Sequence, residues 1–253
     1  YLKGLEDFIP SSQYNCDKHH LKVVEDIKEN WVTLSLNSKF HALLATESIP
    51  EAIAYYRLLR KEMPTLKVTA LFDPNIDNTG GQTFKEEGLI EVLEGYKEQF
   101  GKTYTMSTHA AFKQDVALRL AHKKPYNGKD FTKDKQIDLL IVVNQMLTGF
   151  DSKWINTLYV DKVMEYENII QAFSRTNRLF GPDKPFGVIR YYRYPNTMKR
   201  NIDKAVAMYS DNKPLKLFAD PLTHNLQQMN SIYTEIEYLF VHAGIKNFEK
   251  LPQ

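Results

Sequence analysis

Ile137-Asp-Leu-Leu-Ile-Val-Val143 is the segment that most restricts the fold. It is apolar at every position but Asp138, without alternation, and too short for a typical helix. A strand that is apolar on both faces must be covered on both, as in a parallel sheet flanked by helices. The surrounding pattern agrees. Phe40 to Thr46, Leu66 to Phe72, Asn156 to Val160 and Phe186 to Tyr191 also have strand length and composition.

Helical segments lie between them. Ser48 precedes Ile49 to Glu62, with Pro50 in the first turn and Glu51 placed to complete a capping box. Glu86 to Phe100 and Ala110 to Lys123 are also helical, and Asn78-Thr-Gly-Gly81 is a turn. Strands alternating with helices predict an α/β fold, an open and mostly parallel sheet with right-handed crossovers. Residues 1–37 are polar and mixed, with a helix expected from Lys18 to Asn30 as a linker segment. The sheet domain is expected over 38–196. From about residue 197 the strand signal stops, and a helical extension is expected over 197–253, with helices at 202–209 and 226–243.

Bulk properties exclude some classes. A net charge of +2 gives no global basic field. Cys16 is the sole cysteine, which rules out an internal disulfide framework and fits a reducing cytoplasm. No run of 18 apolar residues occurs, so no membrane association is expected. The opening Tyr1-Leu-Lys-Gly reads as a cut from inside a longer protein.

Two segments carry the chemistry. Met146-Leu-Thr-Gly-Phe-Asp151 follows the central strand, where open α/β sheets bind ligands beyond the carboxyl ends. Gly149 allows close approach of backbone, Thr148 offers a hydroxyl, and Asp151 a carboxylate for a ribose hydroxyl. Farther along, Gln171, Arg175 and Arg178 fall within about 60° of one another on a helix, with Ile169, Ala172, Phe173 and Thr176 opposite. Paired guanidiniums suit phosphate oxygens. Taken alone, the first segment also reads as a capped turn and the second as a solvated charged face.

Gln171-x-x-Ser-Arg175-x-Asn-Arg178 resembles motif VI of superfamily 2 helicases, with Ser174 and Asn177 in place of its two glycines. Together with Leu147-Thr-Gly-Phe-Asp151 and Asn156-Thr-Leu-Tyr-Val-Asp-Lys162, it is similar to the motor (R) subunit of type I restriction enzymes, from about residue 38 to residue 210. Residues 112–120 and the strand at 137–143 share that likeness. The resemblance implies a second RecA-like motor domain, with a C-terminal helical extension, acting in ATP-dependent translocation of double-stranded DNA. It implies that Arg175 and Arg178 reach the γ-phosphate, ordered by Gln171. Gly149 and Asp151 contact nucleotide, and Thr148, Thr46 and Glu47 contact DNA. It also implies ATP and Mg, held mainly by another domain, and methylating and specificity subunits as partners in a bacterial or archaeal cytoplasm.

The chain has no Gly-x-x-x-x-Gly-Lys-Ser/Thr loop and no nuclease-like stretch, so by itself it is expected neither to hydrolyse ATP nor to cut DNA. A competing reading is a RecA-like module that only bridges partners. A Rossmann enzyme is disfavoured by the missing Gly-x-Gly-x-x-Gly. Cys16-Asp-Lys-His-His20 matches no closed zinc set and reads as a surface loop, His109 and His122 read as lone histidines, and Tyr191-Tyr-Arg-Tyr194 reads as packing after the fifth strand.

Overall fold

The computed structural model describes residues 2–75, 81–128, 131–143, 152–209 and 222–245. The strands are β1 (His41–Thr46), β2 (Val68–Leu71), β3 (Leu139–Val143), β4 (Ile155–Asp161) and β5 (Val188–Tyr191). All pairings between them are parallel, in the order β2-β3-β1-β4-β5. Every residue of β1, β2 and β3 is buried, the consequence of helices covering both faces. Registers such as Leu43 opposite Leu140 on one side and Leu158 on the other put the apolar runs at the centre of the sheet.

The helices are α1 (Leu2–Glu6), α2 (Asp17–Leu34), α3 (Ile49–Glu62), α4 (Gln82–Phe100), α5 (His109–Leu120), α6 (Tyr166–Phe173), α7 (Pro195–Tyr209) and α8 (Leu222–His242). Helix α3 has the expected limits. The Ser48 side chain accepts from the Glu51 N–H at 3.4 Å. The reciprocal bond of the capping box is displaced: Glu51 accepts from the N–H of Glu47, not of Ser48. Arg193 pairs with the same Glu51 oxygen at 3.0 Å.

Helix α2 is longer than the expected 18–30 and is part of the core. It buries Val23, Val24, Ile27 and Trp31, a helical stripe that packs toward α3. At the other end of the chain, Glu6 accepts from the backbone N–H groups of Asn196 and Thr197, each at 2.8 Å, and from both of their side chains. Burial raises the Glu6 pKa, but these four bonds outweigh it and leave the group below its ordinary value. A carboxylate thus satisfies the first turn of α7 from outside the helix. Met198 and Ala205 of α7 are buried. Residues 1–213 make one compact unit, and residues 214–253 a second that holds α8.

Candidate functional site

The arginine segment departs from the expected geometry. Helix α6 buries Ile169, Ala172 and Phe173, but it stops at Phe173 with Ser174 as its C-cap. Gln171 is on the helix, Arg175 is in the turn that follows, and Arg178 lies in irregular chain beyond. The three therefore do not share one helical face. The physical reason is local. The Ser174 hydroxyl donates to the Gln171 carbonyl at 2.7 Å, and the Thr176 hydroxyl donates to the Phe173 carbonyl at 3.1 Å. Those carbonyls would otherwise accept from residues one turn on, so the side chains compete with helix continuation. Thr176 is buried, as expected, whereas Gln171 and Arg178 are exposed and Arg175 is half-buried.

Beyond Arg178 the chain makes a second, tight turn at 180–184. The Phe180 N–H donates to the Lys184 carbonyl at 3.0 Å. A Cβ at Gly187 would overlap the carbonyl oxygen and Cβ of Thr176, so only glycine permits this approach. The Phe180 ring packs on Phe40 at 5.6 Å and on Trp154 at 4.5 Å between centroids. Those residues precede β1 and β4, so the turn sits at the amino end of the sheet.

Thr148, Gly149 and Asp151 lie outside the described residues. Their flanks are informative. Val143 closes β3 at the carboxyl end, whereas Ser152 precedes β4 at the amino end and donates to the Leu120 carbonyl at 2.6 Å. The residue after Asp151 and the arginine turn are thus at the same end of the sheet. It is opposite to the carboxyl-end position expected for a ligand in open α/β sheets.

Thr46 and Glu47 are at that carboxyl end, one strand length or about 20 Å away. Thr46 is fully buried, and its hydroxyl donates to the Ser48 and Val142 carbonyls at 3.3 and 3.4 Å. Glu47 is 57% exposed and accepts from Arg193 Nη1 at 2.7 Å. Arg193 is the hub of this end. It also reaches Asp161, Glu51 and Asn15. Asp161 in turn accepts from the Tyr55 hydroxyl and from His19 Nε2, both at 2.7 Å. Burial raises the Asp161 pKa, but His19, Arg193 and Tyr55 overcome it and bring it to about 2. Burial dominates at Glu51, whose pKa is raised despite Arg193.

Two plain readings of the sequence are corrected here. The segment at 16–20 is not a surface loop. It starts α2, with His19 on Asp161 and His20 buried against the Tyr55 ring at 4.6 Å. His122 is not a lone histidine. It shares a hydrogen bond with His41, Nε2 to Nε2, at 2.7 Å, and its ring stacks on Trp154 at 4.1 Å. Burial lowers the pKa of His41 to about 3 and of His122 to about 4, so both rings are neutral. Neither pairing has a local signal, because the partners are far apart in the chain. Among the described residues, no helix is long and apolar enough to cross a membrane.

An all-parallel sheet with helices on both faces defines an α/β domain of RecA-like type. The chain belongs to the type I restriction enzyme subunit R family. Residues 38–194 match the family described as type I restriction enzyme subunit R domain 3. A type I restriction enzyme endonuclease subunit of Staphylococcus aureus (strain MRSA252) is 35% identical over 202 residues, 77% of this chain and 21% of that protein. Another, from Staphylococcus saprophyticus, is 36% identical over 201 residues, 76% of this chain and 20% of that protein. The chain spans about a fifth of the length of these curated relatives.

Proposed function

We propose that the chain is the second RecA-like motor domain of an R subunit. It contributes to ATP-dependent translocation of double-stranded DNA, and through it to DNA cleavage by the complete enzyme. The observation that carries this reading is the arginine turn. Arg178 is exposed on the chain between the close Thr176–Gly187 approach and the Phe180–Lys184 turn, at the end of the sheet where the residue after Asp151 also stands. A fixed guanidinium suits a phosphoryl group whose charge grows in the transition state.

ATP is the substrate in this reading, and a bound magnesium ion neutralises phosphate charge. Both are held mainly by another domain, since this chain has no Gly-x-x-x-x-Gly-Lys-Ser/Thr loop. Arg175 and Arg178 supply cationic donors, Gln171 orders their approach, and Gly149 and Asp151 meet the nucleotide. At the opposite end of the sheet, the exposed Glu47 is the DNA-facing residue, and the buried Thr46 supports it at the entry to α3. Thr148, the chain neighbour of Gly149, contacts DNA from beside the nucleotide. Closing and opening of the nucleotide cleft at one end would then be felt as changed grip at the other. Methylating and specificity subunits are the partners, in a bacterial or archaeal cytoplasm.

The test is DNA-stimulated ATP hydrolysis by the full-length R subunit in its holoenzyme, wild type against Arg178→Ala. Turnover is expected to fall on the order of 10³-fold or more with nucleotide still bound. Unchanged turnover would remove Arg178 from the reaction and leave only the fold.

A further inference from the structure

Lys184 is 1% exposed. Its ammonium donates to the carbonyls of Lys153 at 3.2 Å and Ile155 at 2.7 Å. Burial, and secondarily the charge of Arg178, pull its pKa down to about 8. A buried ammonium is costly, and a hydrocarbon of the same volume would often serve stability as well or better. What a hydrocarbon cannot do is make two directed bonds.

Those bonds have a particular address. Ile155 begins β4 and Lys153 lies in the turn just before it, four and two residues after Asp151. Lys184 itself closes the 180–184 turn that follows Arg178, through Phe180 N–H to its carbonyl at 3.0 Å and its own N–H to the Gly181 carbonyl at 3.3 Å. The edge-on contact of Phe180 with Phe40, its tilted contact with Trp154 and the Lys39–Asp183 ion pair hold the same turn from its outer side. The ammonium adds direction, because hydrogen bonds weaken steeply out of line.

We infer that Lys184 is a positioning residue for Arg178. Its ammonium ties the 180–184 turn, which begins two residues after Arg178, to the chain entering β4, so the arginine segment keeps one separation from the start of that strand. This rests on the proposed motor function. It gives a role to a residue outside the motif, one that touches neither nucleotide nor DNA.

The experiment compares wild type, Arg178→Ala, Lys184→Met, Lys184→Gln and the Arg178→Ala/Lys184→Met double variant, in the full-length R subunit assembled with its partners. The readouts are kcat and KM for ATP at saturating DNA, with thermal melting alongside. Lys184→Met is expected to lower kcat on the order of 10–100-fold, the scale of a small misplacement, with KM and melting little changed. Lys184→Gln keeps an N–H donor on a side chain one bond shorter and should fall between it and wild type; it serves alone should the methionine variant not fold. The double variant should be no slower than Arg178→Ala, because Lys184 acts through that residue.

Wild-type kcat in both Lys184 variants would overturn the inference. So would a loss confined to KM, or a double variant slower by the full factor of the single Lys184 change. If Arg178→Ala itself hydrolyses ATP normally, the motor reading fails and this inference with it. A slow Arg178→Ala with both Lys184 variants normal sinks the positioning role alone.

Discussion

Arg193 and Asp161 meet in a two-point contact, Nε to Oδ1 and Nη2 to Oδ2, both at 3.1 Å, with Arg193 1% exposed and Asp161 fully buried. Forked pairing of this kind is the strong form of a charge-assisted bond. Removing Arg193 leaves the buried Asp161 charge with only the Tyr55 and His19 donors. Arg193→Ala is expected to destabilise the chain by about 3–5 kcal/mol in urea unfolding. A loss below about 1 kcal/mol would show that water or a neighbour replaces the guanidinium with little cost.

The His41/His122 pair predicts acid sensitivity above the carboxylate range. Both folded pKa values, about 3 and about 4, lie below the ordinary 6.5. The unfolded chain therefore binds more protons between those limits, and stability falls as pH drops from about 6.5 toward about 3. The slope approaches about 1.4 kcal/mol per pH unit for each ring. Urea midpoints at pH 7 and pH 5 should differ clearly in wild type and much less in a His41→Leu/His122→Leu variant. His20 and His109, shifted downward by burial as well, leave a residual slope. Equal slopes in both proteins would mean that the pair titrates normally. Asp161 acts elsewhere on the scale: its lowered pKa stabilises above about 3.8, and that contribution is lost as pH falls through about 2.

Gly187 tests the rigidity of the arginine turn. Gly187→Ala forces a methyl group into the Thr176 backbone and side chain. The expected stability loss is about 1–3 kcal/mol, the range for overpacking a tight site. In the full-length enzyme, ATP turnover should fall with it, since Arg175 flanks Thr176. A variant that melts and hydrolyses ATP like wild type would show that the turn relaxes freely.

Much of the architecture is legible along the chain. The unbroken apolar run at 137–143 announces a strand covered on both faces, and β3 is such a strand. Ser48 and Pro50 mark the start of α3 to the residue. These signals are local: burial periodicity and capping depend on residues within a turn or two. The wording of 171–178 points to the family because that likeness needs no geometry. It misleads on conformation, since helical spacing continues through Arg178 while the Ser174 and Thr176 hydroxyls end the helix early.

The sequence by itself determined the α/β class, the central strands, the α3 cap and the family to which the chain belongs. Only the tertiary structure decided which buried polar groups meet. His19 and Asp161 are 142 residues apart, His41 and His122 81, and Arg193 and Asp161 32. It also decided that the arginine turn closes at the amino end of the sheet, through Lys184 and Phe180. The reason is physical. Apolar burial is non-directional and can be read from periodicity, whereas a buried charge is tolerated only beside a particular partner. That partner is chosen by how β1, β4 and β5 align, not by neighbours in the chain.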